Sequence, residues 1–306
     1  MDAKDFYQDP ILTNLSLRYS NEEYIAEKVF PTVSVAKKTG FYFKYDKSNL
    51  KKAQDERSGV SRANRVDYGM TKVAYGPLVE HSLEMPIEYD VRDQADSPLD
   101  PRVDATMALT DRLLINKEDS LASMLNDTSV ITQNVTLSGT SQWSDYTNSD
   151  PFSDIQTAKD TVQKNGLMAV NTCFMGYEVW SKLQHHPDLL ERVKYSQKAV
   201  LTEDLFASLF GFKNVFIGKA VKNTAADGAS DSMTYIWPKS FWVAYTTPTP
   251  GIRTLSAGYH LQLTNGRVID RWDEPAVKSE FVRITDYYEA KIVASEAIYL
   301  IKNAVA

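Results

Sequence analysis

The sequence predicts an α+β fold, and three patterns carry that expectation: strand-like alternation within residues 41–89, one long helical periodicity over 102–125, and β character again from 235 to the C-terminus. Between the last two, short helices and strands alternate, which predicts a mixed lobe inserted into the rest.

Residues 1–36 show little periodicity apart from two turns near 21–28, where Tyr24, Ile25 and Lys28 share a side, so the chain starts as an extended arm. Its Ile11, Leu12, Leu15, Leu17, Val29, Phe30 and Val33 are too many for a disordered tail and require a surface to pack on. Phe41, Phe43 and Tyr45 then alternate with Tyr42, Lys44 and Asp46, and a second run covers 66–85 around Gly76-Pro77. Between these runs, 47–64 is polar and basic with a Ser58-Gly59 turn signal. The pattern predicts a long hairpin with a solvated tip that lies on another surface, because an isolated hairpin is marginal in water.

The long helix starts after Pro98 and Pro101, with Asp100 or Asp104 at its positive end. Val103, Met107, Thr110, Leu114, Leu121 and Leu125 form its expected apolar side. At about 1.5 Å per residue it is about 36 Å long, enough to span a domain. After a polar stretch, Ser153-Asp154-Ile155-Gln156 predicts a capping box for a helix with Ile155, Ala158 and Val162 inward and Gly166 at its exit. A buried strand follows at 172–175, then a helix at 176–184 and a segment from Pro187 carrying Leu189, Leu190 and Val193. The next helix is capped by Thr202, carries Leu205, Leu209 and Phe210, and is ended by Gly211 before a strand at 215–218. Residues 222–232 form a small-residue loop, and strands at 235–246, 259–263, 267–272, 281–285 and 290–301 complete the chain. Asn265-Gly266 predicts a hairpin turn, and the long helix and terminal strands are expected to pack as one lobe around the inserted one.

Composition narrows the function. The chain of 306 residues can bury a sizeable core, and no stretch of about 18 apolar residues offers a membrane span, so no membrane partner is expected. The start, MDAKDFYQDPILTN, has acids and a proline where a signal peptide needs a basic start and an apolar run. The single Cys173 allows no internal disulfide and suits a reducing compartment. A formal charge of −6 weighs against nucleic acid as the main partner. That charge is uneven: 37–72 holds ten Lys/Arg against four Asp/Glu, and 84–104 holds seven acids and two arginines. Adjacent blocks of opposite sign fit two solvated faces, or complementary surfaces that meet between subunits.

No catalytic, cofactor or metal residues are nominated. His81, His185, His186 and His260 show no metal-ligand spacing, and adjacent His185-His186 point to different sides of a helix. At a helix end before Pro187 that pair suits partial charge near a negative dipole. Cys173, in an apolar run, reads as a buried inert thiol. Nucleophile elbows and phosphate loops are absent, and Asp90, Asp93, Asp96 and Asp100 lack the spacing and glycine of a calcium loop.

The order arm, basic hairpin, long helix, inserted mixed lobe and terminal sheet resembles the tailed-phage capsid fold. The most specific residues are Val179-Trp180-Ser181-Lys182-Leu183, His185-His186-Pro187 and Leu190-Glu191-Arg192, followed by Leu201-Thr202-Glu203, Leu209-Phe210-Gly211-Phe212 and Asn214-Val215-Phe216-Ile217-Gly218-Lys219-Ala220. They are similar to a stretch common in phage major capsid proteins, and residues 20–35 are similar to the arm of the same proteins. The resemblance implies an N-terminal arm at 1–40, an extended loop at 41–89, a peripheral domain with spine helix at 90–150, an axial domain at 151–250 and peripheral return strands at 251–306. It implies hexamers and pentamers forming an icosahedral head around double-stranded DNA, assembled in the bacterial cytoplasm, with the hairpin overlying a neighbour.

In that setting Lys44, Lys47, Lys51, Lys52, Arg57, Arg62 and Arg65 are expected to meet acids such as Glu84, Glu88, Asp90 and Asp93 on the adjoining subunit. Because Met1 stands directly at the arm, a separate scaffolding protein is expected, with a portal, a decoration protein and non-specific DNA contact as further partners. One relative cross-links its subunits through a hairpin lysine, a role open to Lys44, Lys47, Lys51 or Lys52 by position, against the simpler alternative of solvated or ion-paired lysines. The competing reading is an encapsulin-like compartment, which shares the fold but usually replaces the arm with a helix. Five Trp and seventeen Tyr keep an enzyme or carbohydrate-binding module in view, although core and interface packing explains them more simply.

Overall fold

The computed structural model describes residues 24–59, 62–95, 99–166, 168–193, 201–226, 228–247, 249 and 254–306. In chain order these form α1 (Ala26–Val29), β1 (Thr32–Val35), β2 (Gly40–Tyr45), β3 (Met70–Tyr75), β4 (Val79–Glu88), α2 (Tyr89–Gln94), α3 (Pro101–Leu125) and β5 (Asn134–Thr136). There follow α4 (Pro151–Gly166), β6 (Thr172–Gly176), α5 (Tyr177–Leu183), α6 (Pro187–Val193), α7 (Glu203–Phe210), β7 (Asn214–Gly218), β8 (Val221–Asn223), β9 (Met233–Tyr235) and β10 (Phe241–Ala244). The chain ends with β11 (Gly258–Leu263), β12 (Val268–Glu274), β13 (Ser279–Ile292) and β14 (Ile298–Lys302). Helices and mixed sheets together make the expected α+β class. Ile11, Leu12, Leu15, Leu17 and Pro98 of the sequence expectations lie outside the described residues.

Helix α3 forms where the sequence places it. Asp100 caps it, its carboxylate accepting from the amides of Arg102 at 3.0 Å and Val103 at 3.4 Å, and Pro101 fills the first turn where no donor is needed. Its buried side differs from the expected one. Ala105, Leu109 and Leu113 face inward, whereas Val103 and Met107 are each 46% exposed. Both sets repeat at four-residue spacing, so periodicity alone does not choose between them; packing on β4 and β13 does. There Leu109 and Leu113 meet Ile87, Val282 and Ile284, and full burial of each such side chain is worth about 1.5–3 kcal/mol. Farther on, Leu121, Ala122 and Leu125 enter a second core with Phe30, Trp237, Trp242, Ile298 and Leu300. One helix therefore joins two cores.

The first sheet centres on β13. β4 pairs along one edge, and β11 and β12 run end to end along the other, with β1 of the arm adding in parallel to β11. This corrects two expectations. The run at 79–88, expected in the return arm of the hairpin, pairs with β13 of the sheet, while β2 pairs with β3. Asn265-Gly266 does turn, with Asn265 at φ 57° and the Gly266 amide bonded to the Leu263 carbonyl at 2.8 Å, yet β11 and β12 do not pair with each other. Residues 263–267 bulge from a line of pairing along β13, which runs from Gln262 opposite Tyr288 to Val268 opposite Thr285. β13 is also continuous where two separate strands, 281–285 and 290–301, were expected.

The second sheet runs β5-β14-β10-β6-β7. Ile155, Ala158 and Val162 of α4 pack inward as expected, but Asp150 caps this helix in place of Ser153, accepting from the Ser153 amide at 3.0 Å. Asp154 instead takes the Trp143 indole N–H at 2.9 Å. Thr202 caps α7, and Gly211 leaves it in the left-handed region at φ 69°. The inward residues of α7 are Phe206 and Phe210, with Leu205 and Leu209 only half-buried. The terminal strand β14 lies between β5 and β10 of this second sheet. Residues 298–302 thus join strands from two distant parts of the chain, 134–136 and 241–244.

Candidate assembly interface

The hairpin begins as six residue pairs, from Gly40 opposite Tyr75 to Tyr45 opposite Met70. Alternation sorts its side chains. Tyr42, Lys44, Val73 and Tyr75 are half-buried or turned toward the body, except that Lys44 reaches out to Glu296, whereas Phe41, Phe43, Met70, Lys72 and Ala74 face outward. Gly40 is required by close approach: a Cβ there would lie 2.4 Å from the Tyr75 hydroxyl.

Beyond β2 the loop root is closed by polar bonds. Asn49 exchanges side-chain bonds with the Gly69 backbone at 2.8 and 2.7 Å, and the Thr71 hydroxyl donates to Asp46 at 3.0 Å. Past that closure the described residues from 51 to 68 are exposed, with the Asn64 amide donating to the Gln54 carbonyl at 2.6 Å. Phe41, Phe43, Leu50, Val66, Tyr68 and Met70 together expose apolar surface on one projecting element. Clustered exposure of this kind marks an interaction surface.

The seven basic candidates divide into two groups. Lys44 and Lys47 pair with Glu296 of their own chain at 3.3 and 3.8 Å, anchoring the hairpin root. Burial pulls the Glu296 carboxyl upward, but its own backbone amide and the two lysines outweigh this and hold it below the usual range. Lys51, Lys52, Arg57, Arg62 and Arg65 are all exposed on the loop and make no ion pair with another described residue. Among the acids, Glu84, Glu88 and Asp90 are exposed on β4 and α2. Asp93 is already bound, taking Arg92 Nε at 2.9 Å.

Sequence reasoning missed the acid that organises this region. Glu280 of β13 is buried and accepts from Arg102 at 2.8 and 3.0 Å and from Arg92 at 3.3 Å, and the Arg102 bond leads in holding its carboxyl below the usual range. Its partners lie far away in sequence, so no local signal marks it. Phe281 stacks on Trp272 at 5.5 Å on the same sheet.

The remaining reactive groups are engaged in packing. Cys173 is fully buried and its thiol is pushed well up by burial. His186 is buried, with Nε2 3.0 Å from the Ser149 hydroxyl, and burial lowers its pKa. Burial therefore works against the partial charge expected at this helix end. Among the described residues no cluster of three His, Cys, Asp or Glu is placed to hold a metal ion. A shallow cleft of about 410 Å³ is lined by Asp150, Asp188, Glu191 and Arg192.

The family model for phage major capsid protein E matches residues 107–258. The major capsid protein of Burkholderia phage BcepMu is 31% identical over 305 residues, covering 96% of each chain. The chain belongs to the phage major capsid proteins. Among solved structures, a phage-related protein from Bordetella bronchiseptica is similar with a TM-score of 0.71 and 25% identity, covering 92% of each chain. The capsid structure of cyanophage P-SCSP1u shares the fold with a TM-score of 0.65 at 10% identity, over 98% of this chain and 93% of that one. As a major capsid protein it is a structural component of the virion and assembles with copies of itself; assembly as hexamers and pentamers goes with that fold. The hairpin and its exposed loop are then surfaces of a coat subunit.

Proposed function

We propose that each coat subunit lays its hairpin on a neighbouring copy, so that the basic tip meets an acidic surface there and fixes the register of the shell. The observation that carries this reading is the tip itself: five exposed cations without an internal ion pair among the described residues, beside an exposed apolar face. Apolar contact supplies attraction, and charge selects orientation. Each exposed pair is worth about 0–1 kcal/mol, but repetition around a closed shell multiplies the effect. Glu84, Glu88 and Asp90 are the acceptors best placed by exposure, with Asp93 reduced by its bond to Arg92.

In the same reading the shell encloses double-stranded DNA, touched weakly and without sequence preference because the chain is acidic overall. A scaffolding protein, a portal and a decoration protein are the further partners, assembly takes place in the host cytoplasm, and no step requires an active site. The encapsulin alternative shares the fold, but the 31% identical relative over nearly the whole chain favours the phage head.

The test is simultaneous Lys51→Glu, Lys52→Glu and Arg57→Glu substitution. The variant subunit is expected to fold and to fail at shell closure. Normal particles would remove the electrostatic role of the tip.

A further inference from the structure

Three consecutive residues of α3 between them bind the arm helix, the first sheet, Trp237 and β8. Lys117, only 2% exposed, donates to Glu27 of the arm helix α1 at 2.5 Å, and its ammonium lies 5.1 Å from the ring of Tyr288 in the first sheet. Glu118, 1% exposed, accepts from the amides of Ile25 at 2.9 Å and Ala26 at 2.8 Å, and from the Trp237 indole N–H at 2.6 Å. Asp119 takes Lys222 of β8 at 2.5 Å.

The arm helix has only four residues and no side-chain cap of its own, so a carboxylate 92 residues away performs that task. So short a helix does not persist unaided. Trp237 is fully buried, rests on Phe174 of β6 and Trp242 of β10, and is so tightly seated that a Cβ at Gly218 would meet its ring. One buried carboxylate therefore holds the arm by two bonds and the inserted lobe by a third.

We propose that Glu118, supported by Lys117 and Asp119, is a lock that makes the seating of the inserted lobe on α3 depend on the seating of the arm. Withdrawing the arm strips Glu118 of two of its three donors. A carboxylate so depleted must take up a proton or turn away, and either response weakens the bond from Trp237, since a neutral carboxyl is a poorer acceptor than a carboxylate and a rotated one moves out of reach. Burial already raises the Glu118 pKa against the three bonds that lower it. The relation is reciprocal, since any equilibrium coupling between two sites acts equally in both directions. An arm drawn off by a neighbouring subunit would thereby loosen the lobe of its own chain.

Hydrogen exchange on the full-length protein tests the coupling from both ends. Glu27→Lys places like charges at Lys117 from a side chain that is 53% exposed, so the fold tolerates it. Exchange at residues 236–242 is expected to rise at least tenfold, with amides of α4 unchanged as the control for global opening, and the added change Lys117→Glu should restore it. Trp237→Phe keeps an aromatic ring while removing the indole donor; it is expected to speed exchange at residues 25–30 relative to α4. Faster exchange confined to the arm in the first variant, or an arm at the wild-type rate in the second, overturns the proposal.

Discussion

Arg267 Nε donates to Asp286 Oδ2 across 2.9 Å, and the same carboxylate accepts from Gln262 at 2.9 and 3.0 Å, so one acid closes both ends of the bulge between β11 and β12. Asp286 is fully buried, and Thr264 within the bulge bonds to the Val35 carbonyl of the arm strand. Asp286→Ala leaves Arg267 and Gln262 without their acceptor and is expected to cost about 2–3 kcal/mol. A lower urea midpoint measures it, and a midpoint within error of the wild type would contradict the role.

This bulge shows how far the sequence could be read. Asn265-Gly266 announces a turn because both residues tolerate unusual backbone angles, but which strands a turn joins depends on where β13 lies, and that is a long-range fact. The same limit explains α3. Its length, its Asp100 start and its end near Asn126 are local and legible, whereas the choice of Leu109 and Leu113 over Val103 and Met107 belongs to the sheet that covers it. For the interface, the basic tip is legible as a run of charge. The withdrawal of Lys44 and Lys47 to Glu296, and the burial of Glu280 between Arg92 and Arg102, join residues distant in sequence and leave no local mark.

The outward face of the hairpin carries its own prediction. Phe41 and Phe43 are 59% and 54% exposed, so Phe41→Ser with Phe43→Ser removes little packing and should change subunit stability by less than about 0.5 kcal/mol. Shell yield by sedimentation should nevertheless fall at least tenfold. A fall in thermal midpoint matching the loss of shells would reassign these rings to the fold.

Charge at the tip predicts a salt effect. Exposed pairs are screened over about 10 Å at 0.1 M salt and about 3 Å at 1 M, so initial assembly rates should drop severalfold across that range by light scattering. Neutralising the tip with Lys51→Gln, Lys52→Gln and Arg57→Gln should flatten that dependence. A rate rising with salt would point to apolar contact alone.

His260 is fully buried, and burial first, then Lys117, lowers its pKa to about 3 from the ordinary 6.5. Between those values the unfolded chain binds the extra proton, so its contribution to stability is complete above about pH 6.5 and is lost as the pH falls toward 3. His260→Phe should flatten this part of the stability profile, measured by urea unfolding at stepped pH. Parallel profiles for the two proteins would show that the ring is protonated in the fold.

Electron microscopy of the assembled product tests most directly whether the hairpin of this coat subunit links copies into a shell. Expressed alone or with the proposed scaffolding protein, the chain should form closed icosahedral particles of hexamers and pentamers, with each hairpin tip resting on an adjoining subunit. Monomers or small oligomers under every condition, or shells in which the tips of residues 51–68 touch no neighbour, would contradict it.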